Sequence, residues 1–322
     1  MQNMMVLENG YIQTTYGVFG GVISYDKYET GELRSVRLDA MNMVLTHAGE
    51  LVPAYTETER RKFKPSVLFY RSGMIKAVSL EEQQEVETPI GEFPAELITF
   101  YESGEVKRIF PLDGKLSGFW SEEDERELQI PFHFDLGCCD FTSLINCVSF
   151  FRDGAIRSVT LYPGETIQVT TKFGEIKVRN GLSLYQSGEL ESVEPTLPVA
   201  IRTPIGTITA YDSEAVGLSA DSNSLTFDRA GNLLSLVTTM NRIGVQTKDD
   251  RFIWYAPSVF SPSSEEKPEV LRGLRLDFTE RGVRMNGEEE FFLSDTGFTI
   301  LPFQSGATSC SPTDCANCTL CK

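Results

Sequence analysis

The sequence predicts an all-β protein with little helix, in which degenerate β-hairpin repeats stack into an elongated antiparallel sheet or solenoid. Two observations carry this prediction. Seven segments centre on a glycine; several have an aromatic pair before it, and aliphatic residues two and five positions after it. A second motif, Thr-x-x-Gly, precedes several of these segments. We therefore expect strand in more than about 40% of residues and helix in fewer than about 10%.

The glycine of each segment marks the turn of a predicted hairpin. Ser-Gly, Asp-Gly or Thr-Gly lets the backbone reach positive φ, and a β-branched return strand follows. The turn glycines are Gly31, Gly73, Gly104, Gly154, Gly188, Gly231 and Gly282. The aromatic pairs and their Leu-Tyr equivalent are Phe69 and Tyr70, Phe100 and Tyr101, Phe150 and Phe151, and Leu184 and Tyr185. Because a repeat uses one position for the same purpose in every unit, these side chains are expected to pack between hairpins.

The remaining elements of the repeat follow from shorter signals. The Thr-x-x-Gly motif predicts a further turn at Thr14–Gly17, Thr88–Gly91, Thr171–Gly174 and Thr203–Gly206. A short helix is predicted only over Ser121–Leu128, where Ser121 is a suitable N-cap and Asp124 follows three residues later.

The spacing of the segments predicts three regions. Residues 11–240 form the hairpin repeat region, 241–300 a C-terminal β segment with one weak repeat copy, and 301–322 a flexible cysteine-rich tail. The longest insertions, Leu112–Ser149 and Thr238–Leu276, are the segments in which function is expected.

The repeat itself resembles a known family. The run Phe-Tyr-x-Ser-Gly-x-Ile-Lys-x-Val, seen in Phe69–Val78 and in variant form in Phe100–Ile109, resembles the MORN-like repeats of bacterial proteins, including the MORN-variant antitoxin group. The resemblance covers roughly residues 11–240, with a weaker copy near Gly282. It implies consecutive hairpins stacked into an elongated sheet that serves as a binding or scaffold surface.

The charge balance limits the classes of partner that are expected. Lys and Arg total 29 against 46 Asp and Glu, a net charge of -17, so the average surface repels phosphate backbones and anionic lipids. Nucleic acid and membrane partners are therefore disfavoured, and a protein partner is expected. The opening residues lack a basic stretch, and no apolar run approaches the roughly 20 residues of a membrane span. A cytoplasmic location is the prediction.

The cysteines fall in two places rather than in a spread disulfide framework, which favours reduced thiols. Four of them close the sequence: Cys310, Cys315, Cys318 and Cys321. Thiolates at Cys-x2-Cys spacing can converge on zinc or an iron-sulfur cluster. The alternative is a flexible terminus whose thiols bind metal adventitiously, because the spacing matches neither a standard zinc site nor a ferredoxin run.

The other candidate site residues each have a simpler, structural interpretation. His133, Cys138 and Cys139 could form a metal site or a Cys-His pair, but alternation with Phe132 and Phe134 predicts a strand with His133 on its polar face. His47 is expected in a solvated turn. Acidic runs such as Glu81–Glu87 are expected to be solvated faces or guarded sheet edges.

Together these features favour a noncatalytic interaction or scaffold protein. The sequence contains no phosphate-cradling glycine loop, HExxH pair or G-x-S-x-G elbow. Trp254 and Tyr255 lie outside the repeat and are the predicted binding residues. The alternative is a metal-binding or redox protein that acts through the C-terminal cysteines.

Overall fold

The computed structural model describes residues 6–7, 10–61, 64–215, 223–260 and 270–303. Of these residues, 58% lie in strands and 2% in helix, which confirms the predicted all-β class. The helix α1 (Glu122–Glu127) begins as predicted, because Ser121 caps it and Asp124 completes a capping box. In the described part of the chain, no helix has the length and apolar character needed to span a bilayer.

Most strands are short, and they follow one another closely along the chain. The first are β1 (Val6–Leu7), β2 (Tyr11–Thr14), β3 (Gly17–Phe19), β4 (Val22–Lys27), β5 (Leu33–Leu38), β6 (Val44–Thr46), β7 (Gly49–Leu51), β8 (Val67–Phe69), β9 (Ile75–Thr88), β10 (Gly91–Phe100), β11 (Val106–Phe110), β12 (Phe132–Asp135), β13 (Asp140–Ser143), β14 (Ile145–Phe150) and β15 (Ile156–Leu161). The others are β16 (Thr166–Thr171), β17 (Gly174–Leu184), β18 (Leu190–Pro195), β19 (Val199–Thr203), β20 (Gly206–Ala210), β21 (Leu225–Phe227), β22 (Leu233–Thr238), β23 (Asn241–Thr247), β24 (Phe252–Tyr255), β25 (Ser258–Phe260), β26 (Val270–Arg272), β27 (Leu274–Phe278), β28 (Gly282–Met285), β29 (Glu289–Phe292) and β30 (Thr296–Pro302).

The chain forms two compact units. Among the described residues, the first comprises those within 6–169 and 179–190, and the second comprises those within 170–178, 191–215 and 223–303. The boundary predicted at residue 240 lies within the second unit, in the connection between β22 and β23.

The first unit contains an antiparallel meander. Its strands lie in the order β4, β5, β8, β9, β10, β11, β14, β15, β17, so each hairpin adds beside the one before it. The aliphatic residues predicted five positions after each turn glycine are fully buried: Val36, Val78, Ile109 and Val159. The first members of the aromatic pairs are equally buried, at Phe69, Phe100 and Phe150. The recurrent sequence positions therefore form the core of this sheet.

The turn glycines take the predicted conformation. Positive φ occurs at Gly31, Gly73, Gly104, Gly154, Gly188 and Gly231. Gly104 is representative: its φ is +105°, and its N–H donates to the carbonyl oxygen of Tyr101 at 2.9 Å. This conformation is open to glycine and strained for other residues.

Gly282 lies at the β27–β28 hairpin, as predicted, but it differs in conformation from the other six turn glycines. It opens β28 without positive φ, and its carbonyl oxygen accepts a 3.3 Å hydrogen bond from the Thr279 hydroxyl. The same bond joins Thr14 and Gly17 at 2.9 Å, so residues 279–282 are a Thr-x-x-Gly turn. A Cβ at Gly282 would lie 2.5 Å from the carbonyl oxygen of Phe291, so glycine here allows close approach of β29.

The second unit contains further strands of the 16-stranded antiparallel sheet and several smaller sheets. Strands β18, β21, β22, β27, β28 and β29 pair in that order. Leu225, Leu236, Leu276 and Met285 are fully buried in it. A separate three-stranded sheet has the order β24-β23-β30, which leaves β24 at one edge.

Candidate functional site

Two aromatic side chains stand exposed on the edge strand β24. Phe252 is 50% exposed and Trp254 is 42% exposed. They lie two residues apart on a strand, so both project from the same face of the three-stranded sheet. Large apolar side chains at this exposure are typical of contact surfaces when they lie together.

The two rings are held against each other and against the strand beside them. Their centroids are 5.2 Å apart with the planes at 77°, an edge-to-face arrangement. Gly244 pairs with Trp254 across the ladder. A Cβ at Gly244 would lie 2.7 Å from Phe252 Cζ and 3.1 Å from Trp254 Cη2, so the absence of a side chain there gives the rings room to lie over β23.

A cation and an aliphatic side chain extend this face. The Arg242 guanidinium carbon lies 4.6 Å from the Trp254 ring centroid, within the range of a cation–π interaction. Arg242 pairs with Leu301 of β30, whose side chain is 36% exposed. We call Phe252, Trp254, Arg242 and Leu301 the aromatic face. Its side chains recognise shape, apolar surface and π-electron density rather than transfer protons.

Tyr255, the second predicted binding residue, lies on the opposite side of β24. Its hydroxyl donates a 2.7 Å hydrogen bond to Glu289 Oε2, and its ring meets Phe291 edge to face at 5.6 Å. Burial and the Glu289 carboxylate raise the pKa of Tyr255 to about 12. Adjacent strand residues point to opposite faces, so Trp254 and Tyr255 cannot serve one surface. On the face of Trp254, the neighbouring aromatic side chain is therefore Phe252.

The remaining predicted residues have separate places. The tail cysteines Cys310, Cys315, Cys318 and Cys321 lie outside the described residues. Cys138 and Cys139 lie in the β12–β13 hairpin with their sulfurs 3.7 Å apart. Their shared hydrogen bond lowers the pKa of Cys138; with burial, it raises that of Cys139. His133 is exposed, as predicted, with Nδ1 3.3 Å from Thr142 Oγ1. Across the described ranges, no three or more His, Cys, Asp or Glu side chains are grouped to hold a metal.

A buried ion cluster in the first unit has a structural role. The Arg60 guanidinium donates to both oxygens of Glu96 at 2.8 Å and to both oxygens of Glu125 at 2.7 Å. Glu125 also accepts from Trp120 Nε1 at 2.7 Å and from the Gly114 N–H at 2.9 Å. These hydrogen bonds occupy the two carboxylates and tie α1 to β10.

Sequence reasoning found Trp254 and missed its neighbours. Phe252 was detectable, because the order Phe-Ile-Trp-Tyr places two aromatic residues at the period of a strand face. Arg242 and Leu301 were not, since their position depends on the register of β23 with β24 and β30.

No family model, no curated protein and no solved structure matches this chain. The class of molecule is therefore defined by its fold and its surfaces alone: an all-β hairpin protein with an exposed aromatic face.

Proposed function

We propose that this chain is a noncatalytic interaction protein that binds a protein partner through the aromatic face. The observation that carries the proposal is the pair Phe252 and Trp254, which are 50% and 42% exposed and locked edge to face on an edge strand. Leaving two large rings in water is unfavourable by roughly 25 cal/mol per Å2 of apolar surface. A partner that covers them recovers that free energy.

The composition of the face favours a protein over other ligands. Trp, Phe and Arg are enriched at the centres of protein interfaces, where rigid rings supply contact area at low entropic cost. Trp254 with Arg242 stacked at 4.6 Å forms such a centre, and Leu301 borders it. Because β24 is an edge strand, its backbone also offers a template for an extended segment of the partner.

The charge of the chain shapes the choice of partner. At a net charge of -17, the protein favours a basic or neutral protein surface and disfavours nucleic acid and anionic membranes. Cys138 and Cys139 are thiols with their sulfurs 3.7 Å apart, which suits the cytoplasmic location inferred from the sequence.

The hairpin sheet supplies the rigid body of this proposal. Three tyrosines, each three residues before a turn glycine, hydrogen-bond a main-chain carbonyl of a later hairpin strand. This recurrence supports the MORN-like interpretation of the repeat, in which a stacked sheet is a scaffold for recognition segments.

Affinity capture with matched variants tests the proposal. Tagged full-length chain is compared with Phe252→Ala/Trp254→Ala and with Phe292→Ala, whose side chain is 49% exposed in the same unit. Proteins that bind the wild-type chain are expected to be lost from the double variant and kept by the Phe292→Ala control. Capture of every partner by the double variant would show that the aromatic face is not the binding surface.

A further inference from the structure

A row of contacts crosses the hairpin turns of the first unit. A further Thr-x-x-Gly turn lies at residues 46–49, where the Thr46 hydroxyl donates to the carbonyl oxygen of Gly49 at 3.0 Å. In this turn and in the turns at Thr14–Gly17 and Thr88–Gly91, a middle residue rests on the turn of a later hairpin. Tyr16 accepts from the Ile75 N–H at 3.2 Å, His47 lies over Gly104, and Pro89 lies over Gly154. A Cβ at Gly104 would come 2.9 Å from His47 Cε1, and one at Gly154 would come 2.7 Å from Pro89 Cβ.

The spaces between these contacts are hollow. A cavity of about 410 Å3 lies between the Tyr16 contact and His47. A second cavity of about 280 Å3 lies between His47 and the Pro89 contact. His47 lines both, so the two hollows are adjacent, and we call them together the His47 groove. The first hollow falls within the roughly 300–1,000 Å3 of known ligand pockets.

The first hollow is mainly apolar. Leu45, Met74, Ile75 and Phe100 contribute to its wall. Leu45 is 72% exposed, and the surrounding fold does not bury it. An aliphatic or aromatic side chain that entered this hollow would cover Leu45 and leave water, which is favourable.

The second hollow is acidic. Glu87, Glu105 and Asp153 line it against a single guanidinium, that of Arg152. The Arg152 guanidinium carbon lies 5.3 Å from the Tyr101 ring centroid. The Ser103 hydroxyl, through its hydrogen bond, lowers the pKa of Glu105, and the Gln186 amide does the same for Asp153. These carboxylates are therefore charged at neutral pH and attract a cation.

We propose that the His47 groove binds an extended basic peptide segment of a partner protein. An apolar side chain of the segment fills the first hollow, and a Lys or Arg side chain reaches the carboxylates of the second. The charge of the groove and the net charge of -17 both select a cationic segment over an acidic one. This site is independent of the aromatic face, which belongs to the second unit.

Selection of a random heptapeptide display library on the full-length protein tests this site. Enriched peptides are expected to combine an aromatic or aliphatic residue with a Lys or Arg a few positions away. Binding of labelled enriched peptides, followed by fluorescence anisotropy, is expected to weaken at least about tenfold in Glu87→Lys/Glu105→Lys and to decline with added salt. Leu45→Asp is expected to weaken it in the same way.

Matched controls keep the test specific. Glu29→Lys makes one such charge reversal at another exposed hairpin turn, and Leu116→Asp changes an aliphatic side chain that is 58% exposed outside the groove. Both are expected to leave the affinity within about twofold of wild type, since neither residue lines the groove. The proposal is overturned if no peptide is enriched, if the enriched peptides lack cations, or if their binding depends on Trp254 and not on Glu87 and Glu105.

Discussion

The hydroxyl of Tyr101 donates a 2.9 Å hydrogen bond to the carbonyl oxygen of Phe150, which lies 49 residues further along the chain. Tyr70 makes the same bond to Phe100 at 2.8 Å, and Tyr28 makes it to Phe69 at 2.7 Å. In each case the tyrosine stands three residues before a turn glycine, and its acceptor lies in the aromatic-rich strand of a later hairpin. The bond therefore fixes how one hairpin turn meets the strand of another.

Removing one of these hydroxyls is expected to destabilise the protein. Tyr101→Phe keeps the ring and deletes the donor, leaving the Phe150 carbonyl oxygen without it. We expect a loss of about 1 kcal/mol in the free energy of unfolding, measured by urea titration with an unchanged m value. Tyr25→Phe removes a hydroxyl from a side chain that is 44% exposed and should change stability by less than about 0.5 kcal/mol. Equal losses of unfolding free energy in Tyr101→Phe and Tyr25→Phe would show that the Tyr101 hydrogen bond does not help to join the hairpins.

Substitution of three glycines distinguishes the cost of a strained backbone conformation from the cost of a steric contact. Gly118 has no positive φ and open space around it; Gly188 has φ +96° and open space; Gly104 has φ +105° and the His47 ring against it. Substitution by Ala is expected to destabilise least at Gly118, by about 1–3 kcal/mol at Gly188, and most at Gly104. Thermal unfolding of the three variants gives the order. A Gly104→Ala variant as stable as Gly118→Ala would contradict the turn geometry.

These residues also show how far the sequence alone reaches. The turn glycines and the buried aliphatic and aromatic positions were predictable, because the same residue types recur at the same positions in each repeat. Gly282 was correctly placed at a hairpin, but its different turn conformation was not predictable, because a glycine between polar residues and a β-branched residue has the same appearance in either kind of turn. The contact of His47 with Gly104 was not predictable, because it joins residues that are distant in sequence and only the sheet order brings together.

In the aromatic face, too, some residues were predictable from the sequence and others were not. Trp254 was identified because it lies outside the repeat, where a large ring has no recurrent core position to fill. Tyr255, the other predicted binding residue, lies on the opposite face of β24, since strand alternation turns it toward Glu289 and Phe291. Arg242 lies over Trp254 because of the register between β23 and β24, which no sequence pattern predicts.

The Arg60 cluster makes stability depend on pH in the acid range. Burial acts to raise the pKa of Glu125, but hydrogen bonds from Arg60 and Trp120 outweigh it, so the pKa lies below its ordinary value. A lowered carboxyl pKa stabilises the fold above the unfolded value of about 4.3, and that stabilisation is lost as pH falls through the folded value. Glu125→Gln is therefore expected to destabilise the protein at pH 7, by an amount that shrinks as the pH falls below the unfolded value.

Urea titrations at a series of pH values measure this difference. Glu127→Gln on the same helix is the control, because Glu127 is exposed and lies outside the cluster. Its unfolding free energy should follow the wild-type curve within about 0.5 kcal/mol. A Glu125→Gln variant whose deficit stays constant down to pH 3 would show that the Glu125 charge does not stabilise the fold.

The alternative function through the cysteine tail has a direct test. If Cys310, Cys315, Cys318 and Cys321 hold zinc or an iron-sulfur cluster, anaerobically purified protein carries stoichiometric metal. The variant Cys315→Ser/Cys318→Ser then loses it, while Cys138→Ser keeps it. Elemental analysis of the three proteins decides the matter. Wild-type protein without metal, or full metal in the double variant, would reject the tail as the site.

The central claim is that Trp254 and its neighbours form the recognition surface, and the affinity of a captured partner tests it most directly. The partner is titrated against wild-type chain, Trp254→Ala and the exposed control Phe292→Ala, with circular dichroism to confirm that each variant is folded. Truncation of an interface centre typically weakens binding by about 2 kcal/mol or more, or roughly thirtyfold in Kd. We predict a loss of that size for Trp254→Ala and less than about twofold for Phe292→Ala. An unchanged Kd for folded Trp254→Ala would contradict the account.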